Sequence, residues 1–219
     1  MTDRDAIRSS TLARWDLILV LAAGALGLFG CGPSLPPRTI YVLGTPAPPV
    51  ERIEPISARP VIEVKPVLMP DYLDGTDILV RGAGNVMQPS PSGRWGERLS
   101  LGATRALAED LRERLPGFVV TTSAPTAPSS CQLLIDFDSF EQYVNQPVLL
   151  IAEWRVLSPA SPETLAGERT SITEAVRGSG DSAVVAAMSQ ALEDLAGRIA
   201  AELQPLGPAC NRKITPTRS

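Results

Sequence analysis

The chain of 219 residues contains no histidine, and that absence removes much of enzyme chemistry. Ser-His-Asp and Cys-His relays need an imidazole that exchanges protons near neutral pH, and many metal sites use imidazole as a ligand. Carboxylate-pair or Ser-Lys chemistry stays open, but no motif marks either. Basic clusters are missing too. Lys+Arg number 20 against 24 Asp+Glu, for a net charge of −4, and no stripe of lysine or arginine is present. That argues against nucleic-acid binding. There are no internal repeats, and no apolar run reaches the about 20 residues of a membrane-spanning helix. Gly82-Ala83-Gly84-Asn85 lacks the strand–helix context of a dinucleotide fingerprint. Asp136 and Asp138 alternate along a strand and could share one face, as paired acids do in hydrolases, but such a pair reads more readily as a solvated sheet edge. No nucleophile, metal cage or phosphate loop accompanies them.

Cysteine is scarce, with three residues, and the first carries the most information. Cys31 closes an apolar run from Leu17 to Gly30, and the chain then turns into Gly32-Pro33-Ser34-Leu35-Pro36-Pro37. Arg4, Arg8 and Arg14 precede the run, diluted by Asp3, Asp5 and Asp16. At about 14 residues the run is too short to span a bilayer and fits a secretory h-region. Leu28-Phe29-Gly30-Cys31 reads as a lipobox: Gly30 offers the small side chain needed beside the scissile bond, and Leu28 fits the aliphatic position. Phe29 is bulkier than the usual occupant. An ordinary secretory signal or a short inner-membrane anchor is the alternative. On the lipobox reading, cleavage between Gly30 and Cys31 removes residues 1–30. Cys31 then carries a covalent diacylglycerol and an N-acyl chain, and no other cofactor is called for. One acyl chain binds a bilayer only marginally, at about 0.8 kcal/mol per buried CH₂, so two or three chains make the anchoring firm. Gly32, in place of the aspartate that retains such proteins at the inner membrane, favours the periplasmic face of the outer membrane. Three basic and three acidic residues leave with the signal, so the net charge stays at −4. Cys131 and Cys210 then remain as an even pair in a compartment that permits disulfides. They form either a bridge or two buried thiols. A bridge would close a loop of about 80 residues and could stabilise by roughly 4 kcal/mol.

The mature chain suffices for one domain with a proper core. The boundaries expected are a signal over 1–30, a lipidated tether over 31–38, a single domain over 39–210 and a tail over 211–219. Short strands are expected at 39–43, 60–65, 77–81 and 118–122, with an irregular proline-rich stretch at 44–58. Residues 133–140 and 148–157 form a hairpin around Asn145-Gln146-Pro147, and 164–176 adds another strand. Val148 to Ile151 is apolar on both faces, as in a strand covered by helices. A helix is expected over 94–115, with Ala103, Leu107, Leu111 and Leu115 on one stripe and Glu109, Asp110, Arg112 and Glu113 opposite. The clearest helix runs over 181–204, with Val185, Met188, Leu192, Leu195, Ile199 and Leu203 at helical spacing and Asp181 or Ser182 as N-cap. The fold class is α/β: a two-layer sandwich of a mixed, mostly antiparallel sheet with two long amphipathic helices on one face.

The middle of the chain also carries Pro70-Asp71-Tyr72-Leu73-Asp74, then Ile78-Leu79-Val80-Arg81, then Arg94-Trp95-Gly96-Glu97-Arg98-Leu99 and Ala106 to Leu111. In this order and spacing the motifs resemble the ABC-type transport auxiliary lipoproteins, the PqiC-like family, across essentially all of 39–204. Gly96 stands where alanine is more usual. The resemblance implies a non-catalytic lipoprotein subunit of a transporter that moves lipids between the two membranes, with an MCE-domain protein as partner. A homo-oligomer is compatible with such a role, and a structural or assembly lipoprotein of the envelope is the alternative. Tyr72, Leu73 and Trp95 are the residues expected to dock a partner, since tyrosine and tryptophan dominate binding hot spots. Otherwise they plug the edge of the sandwich.

Overall fold

The computed structural model describes residues 37–44, 59–123, 130–158 and 163–211. The signal segment, Gly30 and Cys31 lie outside them, as does most of the proline-rich stretch. From Arg38 onward the described residues belong to one unit. Among them no helix is long and apolar enough to cross a membrane.

The longest strand, β6 (Ser130–Tyr143), is the spine of an eight-stranded sheet. β7 (Val148–Leu157) returns antiparallel along one edge of β6, and β8 (Thr164–Glu174) continues the meander. The turn between β6 and β7 places Asn145 at φ 57, a left-handed conformation that asparagine tolerates better than most residues. The other edge of β6 is shared by two strands. β2 (Val61–Val64) pairs parallel with its first residues, β3 (Asp77–Arg81) pairs parallel with its last, and a Leu68–Asp136 bridge lies between. β5 (Val119–Thr121) extends the sheet beyond β2. β4 (Met87–Trp95) and β1 (Thr39–Tyr41) extend it beyond β3. Most of the ladder length is antiparallel because the long β6–β7–β8 meander supplies it. Both long helices, α1 (Leu99–Arg114) and α2 (Asp181–Leu203), pack on one face of this sheet.

Period-2 alternation builds the lower half of the core. Cys131, Leu133, Ile135 and Phe137 on β6 and Val148, Leu150, Ala152, Trp154 and Val156 on β7 are all buried. Ala103, Leu107 and Leu111 of α1 and the expected stripe of α2 close over them. Beyond α2 the chain passes through a 3-10 turn into α3 (Gly207–Cys210), where Cys210 is joined to Cys131 by a disulfide with Cα atoms 5.0 Å apart.

The motif around Pro70 is a folding device for α1. Leu73 turns inward and is buried, while the Asp74 carboxylate accepts the backbone N–H of Ser100 at 3.0 Å and a guanidinium N–H of Arg98. Leu99 N–H donates to Gly75 O. The helix is thus capped from a turn about 25 residues upstream, a side-chain acceptor serving an otherwise orphan N–H. Partial burial pushes the Asp74 carboxyl up, but the hydrogen bonds from Ser100 and Arg98 outweigh it and hold the group below its ordinary value.

Several expectations need correction. Residues 94–98 are not helical: Arg94 and Trp95 end β4, and α1 starts at Leu99, where Asp74 can cap it. β4 itself had no counterpart in the sequence reading. Pro89 and Pro91 suggest loop, but β1 registers only with residues 93–95, so the prolines sit on an open edge where a missing N–H is tolerated. The 148–151 segment is covered on one face alone, and Leu149 and Ile151 are half-buried on the open face. Asp181 does not cap α2. Gly180, at φ 78, occupies the cap position, and the Asp181 carboxylate instead accepts the hydroxyls of Ser90 and Ser92, both at 2.8 Å.

Asp110 is buried rather than on the polar face of α1. Desolvation, with repulsion from Glu193, pushes its carboxyl up to about 6, and Arg114 offsets this only in part. The folded state therefore binds this proton more tightly than the unfolded chain does. Stability contributed by the neutral acid is lost as pH rises from about 4 through about 6. Asp110→Asn should stabilise by on the order of 1 kcal/mol at pH 8, roughly 2–4 °C in a domain of this size. The gain should vanish at pH 4, as thermal melts at the two pH values will show.

Candidate docking surface

The open face of the sheet, opposite the helices, brings together five polar side chains from three segments. Arg81 ends β3 in register with Tyr143 of β6. Its guanidinium grips the Glu141 carboxylate through two bonds, Nε–Oε1 and Nη2–Oε2, both 2.9 Å. The side chains of Arg81 and Glu141 are 14% and 4% exposed, so the pair is largely shielded from water although it lies on the face without helices. Ser139 Oγ lies 3.4 Å from Glu141 Oε1.

Two tyrosines supply the shielding. Tyr72 projects outward from the Pro70 turn, and its hydroxyl accepts an N–H from Arg81 Nη2 at 3.1 Å. The guanidinium carbon lies 5.6 Å from the centroid of the Tyr72 ring and 5.7 Å from that of Tyr143, within the range of cation–π attraction. Tyr72, Tyr143 and the neighbouring Val144 remain 46%, 39% and 49% exposed. Val144 is fixed by its N–H to Arg81 O. The result is a small apolar and aromatic surface lying over a largely buried ion pair.

The three residues singled out for docking therefore separate. Tyr72 is on the surface, whereas Leu73 and Trp95 are buried in the core and present nothing to a partner. The physical reason is local: consecutive residues of the tight turn point apart, and Trp95 faces the helices from the end of β4, beside Tyr41 of β1. Arg81, Glu141 and Tyr143 escaped the sequence reading. Glu141 and Tyr143 stand two apart and so share a strand face, but nothing in one sequence pairs them with Arg81, 60 residues earlier.

The alternating acids Asp136 and Asp138 do not share a site. Asp138, within the register shift between Phe137 and Ser139, pairs with Arg169 at 2.7 Å, and Asp136, before the shift, faces Arg155 at 3.9 Å. They are separate surface ion pairs. A cavity of about 830 Å³ opens at the end of the sheet, between Gln88–Ser92, the Asn145 turn and the loop before α2. Ser90, Ser92 and Asp181 hold one another beside it, and a Cβ on Gly93 would come within 2.4 Å of Asp181 Oδ2 and 2.8 Å of the Tyr41 ring, so any larger residue there must displace those side chains. This serine–aspartate cluster ties β4 to α2. No group of three or more metal-ligating side chains occurs among the described residues.

Residues 41–200 match the sequence model of a family described as the ABC-type transport auxiliary lipoprotein component. The chain belongs to this family. The fold recurs in the crystal structure of an uncharacterized protein 19% identical to this chain, with TM-score 0.64, covering 76% of this chain and 99% of that one. It recurs again in a Xanthomonas campestris protein of the DUF330 family, 18% identical, with TM-score 0.58, covering 78% of this chain and 95% of that one. No curated protein matches the chain. Membership makes this chain an auxiliary lipoprotein component of an ABC-type transport system and a membrane-anchored protein of the cell envelope. The Pro70 turn and the Arg94-to-Leu99 motif of this auxiliary lipoprotein now have structural meanings. Leu73, Trp95 and Leu99 fill the core, Asp74 and Arg98 lock the start of α1, and Glu97 pairs with Arg105 at 2.9 Å.

Proposed function

We propose that this auxiliary lipoprotein is a non-catalytic, positional subunit of an MCE-type transporter that moves lipids between the inner and outer membranes. Cleavage after Gly30 leaves Cys31 as the acylated first residue, with palmitate among its chains. The anchor holds the domain on the periplasmic face of the outer membrane, and the Tyr72–Tyr143–Val144 surface docks the periplasmic MCE component. The family match over residues 41–200 carries this reading. The docking surface adds the physical content: exposed tyrosines around a shielded arginine have the composition of an interface hot spot.

Capture of the MCE-domain component from detergent extracts by the tagged, lipidated chain tests the assignment. Tyr72→Ala combined with Tyr143→Ala should reduce capture about tenfold or more, the effect of losing one or two hot-spot side chains. The melting temperature should change by no more than a few degrees, because both rings are largely outside the core. Equal capture by the variant and the wild type would show that another surface docks the partner. No MCE-domain protein among the captured proteins would overturn the partner itself.

A further inference from the structure

The outer edge of the sheet at β1 carries a second exposed apolar feature, separate from the tyrosine surface. Ile40 and Val42 are 59% and 57% exposed. They lie side by side, because a Cβ built on Gly96 would come within 3.1 Å of Ile40 Cγ2 and 3.3 Å of Val42 Cγ1. Ile40 stands in register with Arg94, and Arg94 with Asp77, so the three share the open face. Arg94 is exposed, and Arg38 donates to Asp77 Oδ1 at 3.1 Å beside it. Two aliphatic side chains rimmed by guanidinium groups suit the boundary between acyl chains and phosphate headgroups.

The tether limits what can cover this edge. Even fully stretched, the nine residues from Cys31 to Ile40 span no more than about 30 Å. The sheet is longer than that: the 14 residues of β6 extend over about 46 Å. A lipid-anchored Cys31 therefore keeps Ile40 within about 30 Å of the bilayer, whatever the rest of the domain does. We propose that the β1 edge, through Ile40, Val42 and Arg94, rests on the surface of the same membrane that holds the Cys31 anchor and fixes how the domain stands on it. This rests on Cys31 being the acylated residue. Two half-exposed aliphatics are too few to hold a protein from solution, but tethering makes the contact intramolecular, at an effective concentration in the millimolar range. The contact then orients a domain that is already anchored.

The test uses the lipidated full chain with Ile40→Cys carrying an environment-sensitive fluorophore. With Cys31 acylated and Cys131 bonded to Cys210, the label reports position 40 alone. Vesicles of phosphatidylethanolamine and phosphatidylglycerol with brominated acyl chains act as quencher, and Ser171→Cys on β8 serves as the reference position. Quenching at 40 should exceed that at 171 at least threefold, and adding Val42→Asp with Arg94→Gln should bring the two together. Equal quenching at both positions, with mass spectrometry showing an acylated Cys31, would overturn the membrane contact and leave the anchor standing. A fluorophore at 40 that shifts to the blue without sensing brominated lipid would report a second copy on the edge, and would equally overturn it. An unmodified Cys31 in the mass spectrum would instead defeat the anchor reading, and the membrane contact with it.

Discussion

Replacing Cys131 and Cys210 together by alanine is expected to lower the melting temperature by about 10–15 °C. The bridge joins residues 79 apart in sequence, and restricting a loop of that length in the unfolded chain is worth about 4 kcal/mol on the chain-entropy account. In a domain of this size each kcal/mol corresponds to roughly 2–4 °C. Both half-cystines are fully buried, so alanine leaves no unsatisfied polar atom and little strain. The bridge also has a local effect. Nothing but a 3-10 turn and three helical residues lies between α2 and Cys210, and the bridge holds this segment to the start of β6. Hydrogen exchange should therefore show amides 204–210 losing protection first, with β7 and the middle of α2 least affected. An unchanged melting temperature would show that the C-terminal segment packs as well without its covalent link.

Arg81→Ala is expected to cost about 3 kcal/mol, measured by urea unfolding. The loss comes less from the missing attraction than from the Glu141 carboxylate, 4% exposed, which stays buried without its charged partner. The figure is at the low end for broken buried pairs because one side of Arg81 lies at the protein surface. Removing both charges together, as in Arg81→Met with Glu141→Leu, should recover much of the stability, since the desolvation cost disappears with the pair. A double variant as unstable as the single one would show that the ion pair stabilises by its own attraction. Tyr72→Ala should behave differently. It removes one face of the cation–π contact and one hydroxyl acceptor, a loss of about 1 kcal/mol, so its main effect falls on partner capture.

The legible parts of the fold were those written in local periodicity. The stripe from Val185 to Leu203 fixed α2 because side chains three and four apart must meet on one helix face. The β6–β7 hairpin was readable from two apolar runs separated by Asn145-Gln146-Pro147. β4 was hidden because Pro89 and Pro91 oppose strand structure wherever the ladder needs their N–H, and whether it does depends on which edge the strand occupies. Asp110 was misplaced for a similar reason. Its helical position borders the apolar stripe, and only the approach of α2, with Glu193, turns that border into an interior.

For the docking surface the division lies within a single turn. Tyr72 and Leu73 are neighbours in sequence, and composition alone marks both as hot-spot material. The turn sends one to the surface over Arg81 and the other into the core. The sequence by itself determined the lack of histidine, the two amphipathic helices and the family motifs, all properties of composition or short-range spacing. Tertiary structure alone decided that β6 shares one edge between β2 and β3, and it is this sharing that brings Arg81 beside Glu141 and Tyr143. Contacts between residues 60 apart depend on strand order, and strand order follows from how the whole chain buries its apolar surface at once.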